Sequence, residues 1–335
     1  MDSSRIQRFQ DQCEIPCLIE NPSDLFYLTG LCLSLGKLLI SSSRATLFVD
    51  GRYYEVAKAK APCPVFKWED FKSTPDGKIA FDSSFVTYQN FLNLKNLLPL
   101  VEWVPLASPL KHLRVLKEAK EIQALKKAAA LTRDGIQRVA SLLKEGMSEE
   151  ELAFEFEFYC RKEGAMGLSF ETIIAFGENS AYPHHRTGKA KLKHNQVVLV
   201  DAGAIVDSYH GDLTRIFHFG KPDPRIVHLE QIVKRAKEKA LQHIRPGIHL
   251  KELDEIVRAE FDRDHVKQLY MHSLGHGVGL ETHEFPRIKF DGEDRDLILK
   301  SGMVFTIEPG LYQAGLGGIR LEDMILVTEN GHEKL

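Results

Sequence analysis

Lys193-His-Asn-Gln-Val-Val-Leu-Val-Asp-Ala-Gly203 can be laid over Lys300-Ser-Gly-Met-Val-Phe-Thr-Ile-Glu-Pro-Gly310 without a gap. Lysine meets lysine, an apolar run meets an apolar run, Asp201 falls on Glu308 and Gly203 falls on Gly310. Short runs such as Val197-Val-Leu-Val200 predict buried strands. Each segment is followed by another strand with a second acid: Asp212 in Asp-Leu-Thr-Arg, and Glu322 in Ile-Arg-Leu-Glu-Asp. Residues 111–335 therefore read as two related halves, each a strand pair with one carboxylate per strand.

A carboxylate at the end of a buried apolar strand is costly without a partner. A helix cap or a turn would explain one such acid; four in matched positions ask for more. If the two halves face each other, Asp201, Asp212, Glu308 and Glu322 converge, and their charges repel strongly in a low dielectric. Cations resolve that repulsion. His276 lies in Ser273-Leu-Gly-His-Gly-Val-Gly-Leu-Glu-Thr-His-Glu-Phe-Pro286, where glycines let backbones approach closely, and it can add a nitrogen ligand. Five ligands, four of them carboxylates, suit two divalent ions. Oxygen-rich coordination with one imidazole favours Mn2+, with Co2+, Fe2+ or Zn2+ as alternatives. Such a pair of ions can activate water and polarise a carbonyl.

Other patterns in the chain fail on inspection. His283-Glu284 suggests the helical zinc signature H-E-x-x-H, but Arg287 stands where the second histidine is needed, and Pro286 interrupts a helix. Gly275, Gly277 and Gly279 fit neither nucleotide-loop pattern. Cys13 and Cys17 have a spacing that zinc sites use, yet no second cysteine pair or nearby histidine completes it.

At 335 residues the chain has room for two domains, and its 43% hydrophobic and 27% charged residues are ordinary for a globular protein. A formal charge of -3 argues against nucleic-acid and membrane-surface partners. Met1-Asp-Ser-Ser-Arg-Ile-Gln-Arg lacks the apolar stretch of a secretory signal, and the five cysteines read as reduced thiols, so a cytoplasmic protein is expected. The first 110 residues read as alternating strands and helices. Lys37-Leu-Leu-Ile40 and Ala45-Thr-Leu-Phe-Val49 pair around a serine-rich turn, and a helix starts near Gly51. Pro99, Pro105 and Pro109 put the boundary near 110, giving domains 1–110 and 111–335. Helical periodicity runs from Val115 to Leu143. Ser148-Glu-Glu-Glu151 is a capping box that opens a second helix, Asp223-Pro224 opens a third, and a fourth spans residues 250–262.

Val-Asp-Ala-Gly (200–203), Asp-Leu-Thr-Arg (212–215), Ser-Leu-Gly-His-Gly-Val-Gly (273–279), Thr-Ile-Glu-Pro-Gly (306–310) and Gly-Ile-Arg-Leu-Glu-Asp (318–323) together resemble the motifs of the pita-bread metallopeptidases. That group contains methionine aminopeptidase, Xaa-Pro aminopeptidase, prolidase and creatinase. Asn21-Pro-Ser-Asp-Leu-Phe-Tyr-Leu-Thr-Gly30 and Leu47-Phe-Val-Asp-Gly-Arg-Tyr53 resemble the N-terminal domain of its Xaa-Pro-cleaving branch. The resemblance implies an α+β fold: a C-terminal pita-bread domain with pseudo-twofold halves, preceded by a smaller α/β creatinase-type domain. It implies a metal set of Asp201, Asp212, His276, Glu308 and Glu322, and it adds further site residues. His184, in Ala181-Tyr-Pro-His184, falls on a catalytic histidine, with His185 beside it read as a surface residue. His283 falls on the second catalytic histidine and His272 on a substrate-binding one.

The implied reaction is metal-assisted hydrolysis. His283 steadies the oxyanion, and Glu308 acts as both ligand and proton shuttle to the leaving nitrogen. Arg320, two residues before Glu322, shares its strand face and is expected to orient a ligand carboxylate or bind substrate. The expected activity is that of an Xaa-Pro aminopeptidase on proline-containing peptides, preferred because the chain shows no large insertion. Prolidase, acting on dipeptides, is the alternative. Metal-free creatinase-like hydrolysis and a catalytically silent binding protein are weaker readings. A homodimer is the family's usual assembly.

Overall fold

The computed structural model describes residues 3–74 and 76–335. Met1 and Asp2, part of the opening stretch read above for a missing signal, lie outside the described residues, as does Pro75. The chain falls into two compact units, Met1–Arg114 and Val115–Leu335.

In the first unit helices and strands alternate: α1 (Ser3–Gln10), β1 (Cys17–Ile19), α2 (Pro22–Thr29), β2 (Lys37–Ile40), β3 (Ala45–Val49), α3 (Tyr54–Lys60), β4 (Val65–Lys67), β5 (Gly77–Asp82), α4 (Tyr88–Leu97), β6 (Val101–Leu106) and α5 (Lys111–Arg114). Its six-stranded sheet has the order β4-β3-β2-β1-β5-β6. The strand pair read around the serine turn is β2–β3, antiparallel, with Lys37 opposite Phe48. The pairings β1–β5, β3–β4 and β5–β6 are parallel, which requires the crossovers that the helices supply. Leu18, Phe48, Phe71, Ile79, Leu94 and Val101 share one core cluster, in which the Phe48 and Phe71 rings meet edge-on at 5.2 Å.

The second unit opens with α6 (Ala119–Leu142), which starts four residues later than the periodicity predicts. Tertiary pairing takes those residues instead. Leu116 bridges Met303, and the Lys117 N–H donates to the Gly302 carbonyl at 2.8 Å. The Glu118 N–H then donates to Glu121 Oε2 at 2.9 Å, which caps the helix. α7 (Glu149–Lys162) begins on the expected capping box. The Ser148 N–H reaches Glu151 Oε2 at 2.6 Å, and the Glu151 N–H returns to Ser148 Oγ at 3.3 Å.

Six strands follow: β7 (Gly167–Leu168), β8 (Ile173–Phe176), β9 (Gln196–Ala202), β10 (Ala204–Val206), β11 (Tyr209–His210) and β12 (Leu213–Phe219). Then come α8 (Pro224–His243), capped by Asp223, and α9 (Leu250–Arg263). The chain finishes with β13 (Gly275–Gly277), β14 (Glu284–Ile288), β15 (Val304–Ile307), β16 (Gly310–Gln313), β17 (Gly317–Arg320), β18 (Asp323–Val327) and β19 (His332–Lys334).

The pattern of a helix pair followed by an antiparallel strand pair therefore occurs twice. β9 lies between β12 and β8, and β15 lies between β13 and β18. A central strand is covered along both edges and both faces, which is why the matched segments read as unbroken apolar runs. Residues Val197 to Ala202 and Val304 to Ile307 are all buried. Behind the second half, Val233, Val257, Phe261, Phe305 and Ile325 belong to one core cluster. The five cysteines are free thiols, and burial pushes Cys160 up to about 12. Among the described residues, no helix is long and apolar enough to cross a membrane.

Candidate metal centre

The four acids stand at strand ends. Asp201 lies near the end of β9 and Asp212 just before β12; Glu308 follows β15 and Glu322 precedes β18. His276 is the middle residue of β13, which pairs with β14 on one side and β15 on the other. A Cβ on Gly275 would lie 1.9 Å from the Thr306 carbonyl oxygen, and one on Gly277 would lie 2.2 Å from that of Phe285. Only glycine lets β13 slide so close to both neighbours, and that placement carries His276 to the acids. The His276 Nδ1 is 3.1 Å from the Gly277 carbonyl, to which it donates, leaving the Nε2 lone pair free. Nε2 lies 3.4 Å from Glu308 Oε1 and 3.6 Å from Asp212 Oδ2.

The predicted ligands are thus brought together. Asp212, His276 and Glu322 offer donor atoms within 4.8 Å of one another. Asp201 and Glu308 are close enough for their charges to be felt at Asp212. Burial, and then the charges of Glu322, Asp201 and Glu308, hold the Asp212 carboxyl well above the usual carboxylate range. Burial first and the neighbouring Glu322 next do the same to Glu308, while burial and Asp201 push Glu322 up to about 7. Burial holds His276 down at about 4, so its imidazole is neutral near pH 7. Asp201 Oδ1 and Glu322 Oε1 are buried with no hydrogen-bond partner. Carboxylates that resist ionising together, orphaned oxygens and a neutral imidazole with a free lone pair fit divalent cations.

Three more histidines border this cluster. The His283 ring lies 4.2 Å from that of His276, centroid to centroid. His272 Nδ1 donates to the Ser273 carbonyl at 2.8 Å, so its Nε2 accepts from the Tyr312 hydroxyl, also at 2.8 Å. Its Nδ1 is 4.0 Å from Glu308 Oε2, and burial holds His272 down at about 4. His184 is exposed, and its charge is felt at both His272 and His283.

Arg320 is only 4% exposed, and its donors are committed. Nη2 donates to Asp201 Oδ2 at 2.5 Å, Nη1 to the Tyr312 hydroxyl at 2.9 Å and to the Pro183 carbonyl at 3.4 Å, and Nε to Thr214 Oγ1 at 3.1 Å. Thr214 in turn donates to Glu322 Oε2 at 2.7 Å.

His185, read as a surface residue, is instead tucked in, with its Nε2 2.8 Å from Glu149 Oε2. The sequence reading also passed over Tyr312, Thr214 and Glu149. Thr214 sits inside the Asp-Leu-Thr-Arg motif and could have been flagged by its position. Glu149 carries no local signal because its partners lie 27 to 39 residues along the chain, and Tyr312 gains its place only when β16 pairs with β17 and His272 folds against it.

Residues 123–329 match metallopeptidase family M24, and residues 16–116 match the creatinase/prolidase N-terminal domain. An Xaa-Pro dipeptidase of Pyrococcus furiosus is 34% identical over 99% of this chain and 96% of its own length. Among solved structures, the prolidase of Pyrococcus horikoshii superposes with a TM-score of 0.93 at 33% identity, covering 99% of this chain and 96% of the other. The X-Pro aminopeptidase of Thermotoga maritima does so with a TM-score of 0.88 at 30% identity, covering 98% and 97%.

Proposed function

We propose that this chain, which belongs to metallopeptidase family M24, is a metal-dependent Xaa-Pro dipeptidase. A creatinase-type N-terminal domain precedes its pita-bread catalytic domain, and the protein is a hydrolase of that peptidase family. The observation that carries the proposal is the meeting of Asp201, Asp212, His276, Glu308 and Glu322 at one place, bordered by His272 and His283. Relatives named Xaa-Pro dipeptidase or prolidase, similar over nearly the whole chain, favour the dipeptide reading. The aminopeptidase expectation rested on the absence of a large insertion. Chain length does not say which groups beyond proline are shut out, so that expectation gives way. The similar X-Pro aminopeptidase structure keeps it as the second reading.

In this proposal the five ligands hold two divalent ions, Mn2+ first among them. When bound, such ions supply an activated water and a Lewis acid for the carbonyl. Glu308 takes the proton of the attacking water and passes it to the proline nitrogen, which must gain a proton to leave as an amine. That nitrogen carries no N–H in the substrate, so nothing in the site can depend on one. His283, which burial keeps toward its neutral form, donates to the oxyanion. His184 and His272 line the approach to substrate; both ring nitrogens of His272 are engaged by Ser273 and Tyr312, so it meets substrate through its ring face. Arg320, its donors already engaged within the protein, orients Asp201 instead of meeting substrate.

Ala-Pro and Ala-Pro-Ala assayed side by side with added Mn2+ test the proposal. The dipeptide should be hydrolysed with a kcat/KM at least about tenfold higher. Faster turnover of the tripeptide would restore the aminopeptidase reading, and no cleavage of either by metal-loaded protein would end both.

A further inference from the structure

We propose that Glu149 is a positioning residue for His184, its carboxylate fixing the loop that presents this imidazole to the site; the inference rests on the role given to His184 above. Glu149 is the first residue of α7, and its side chain is 1% exposed. Oε1 accepts from the Phe176 N–H at 2.9 Å and from Asn179 Nδ2 at 2.7 Å. Oε2 accepts from His185 Nε2 at 2.8 Å and from the Gly188 N–H at 3.1 Å. An ionised carboxylate has about four acceptor positions, and here all are filled by donors from one loop. Those donors run from Phe176 to Gly188, fall on both sides of His184 and include its immediate neighbour.

An acid in the first turn of a helix ordinarily serves the helix itself. That work is already done for α7 by Ser148 and Glu151, which cap each other's N–H groups. The Glu149 side chain receives its hydrogen bonds from the loop. Main-chain bonds from the same turn strengthen the hold: Glu149 N–H to the Ala190 carbonyl at 3.1 Å, and Glu150 N–H to that of Gly188 at 3.0 Å. On the opposite side Arg320 grips the Pro183 carbonyl, so the loop is pinned between the metal ligands' own arginine and the helix. His184, exposed and without a hydrogen-bond partner among the described residues, depends on this frame for its place beside His272 and His283. In Glu149→Gln an amide NH2 replaces one oxygen, and whichever way it turns it faces a backbone N–H, leaving that donor unsatisfied.

A double-mutant cycle reads the coupling, with the full-length Mn2+-loaded enzyme and Ala-Pro as substrate. Glu149→Gln should lower kcat/KM about tenfold in the parent, but less than about twofold in a His184→Ala background. His185→Ala, which removes one of the four donors and leaves the helix turn untouched, should show the same pattern at about threefold. It carries the test if Glu149→Gln does not fold. Mn2+ affinity, followed by calorimetry, should not change in either variant. Equal losses in both backgrounds, or a fall in Mn2+ affinity, would overturn the positioning role alone. A His184→Ala variant as active as the parent would remove the reading beneath it.

Discussion

The two halves of the catalytic unit share a plan and differ in how they finish it. In the first half Asp201 pairs with Thr214, so the two acids of that half are offset along the ladder. In the second the ladder ends at Ile307 with Asp323, one residue short of each acid, and the Glu308 and Glu322 N–H groups turn to the Leu274 and Thr214 carbonyls instead. The residue two before the second acid is His210 in one half and Arg320 in the other. Arg320 crosses to Asp201, while His210 Nδ1 meets Thr282 Oγ1 at 2.9 Å, next to His283. The residue two after that acid crosses over in both halves. Thr214 donates to Glu322, and Met324 Sδ accepts the Asp212 N–H at 3.3 Å. A repeated backbone sets where acids emerge; the side chains at equivalent positions then make the two ends of the site chemically unlike.

If each half contributes to one shared site, removing an acid from either should abolish most of the activity. Asp212→Ala and Glu308→Ala are each expected to lose several kcal/mol of transition-state stabilisation, a fall in Ala-Pro hydrolysis of about a hundredfold or more. A variant of one half that kept near-parent turnover would break the symmetry of the comparison and the ligand assignment together.

The crossing residues should behave unequally. Arg320→Met leaves Asp201 buried among other acids without its cation and should cost about 3 kcal/mol in the metal-free protein. His210→Ala removes a hydrogen bond to a hydroxyl and should cost about 1 kcal/mol. Chemical denaturation of both variants gives the ratio, and similar costs would show that Arg320 does no more than its counterpart.

In the second half β13 and the residues just before it bring His276 and His272 to the site, and pH should reveal the second of these. The folded-state pKa of His272 is lowered from 6.5 to about 4 by burial. Between those values the unfolded chain binds the proton and the folded chain does not, so this residue's contribution to stability is present above pH 6.5 and is lost as pH falls toward 4. Allowing for partial solvent contact, the window is worth on the order of 2 kcal/mol. Metal-free His272→Gln should lose less stability than the parent on acidification from pH 7 to pH 4.5, measured by thermal unfolding. An identical acid dependence would show that the imidazole is not buried as described.

Much of this was open to reading because it is local or repeated. Val197 to Val200 and the Ser148–Glu151 box announce a strand and a cap within a few residues, and Asp201 over Glu308 exposes the repeat. What stayed hidden is set by contacts between distant residues. Val115 to Glu118 have helical periodicity, but the pull of Met303 and Gly302 outweighs it, and no window around residue 115 contains that information. The ladder offset between Asp201 and Asp212, the Tyr312 link from Arg320 to His272 and the Glu149 grip on His185 likewise follow from register and packing. An isolated loop histidine such as His185 looks solvent-facing until its carboxylate partner is placed.

The crossed contacts between halves bear on how the protein is made. On the ribosome, β9 and β12 emerge with Asp201 and Asp212 long before His276, Glu308, Arg320 and Glu322 have been translated. A nascent first half therefore holds two acids with neither Arg320 nor His276 beside them. Under the proposed function, activity waits for the last strands to dock, which would keep unfinished chains harmless to the peptides around them.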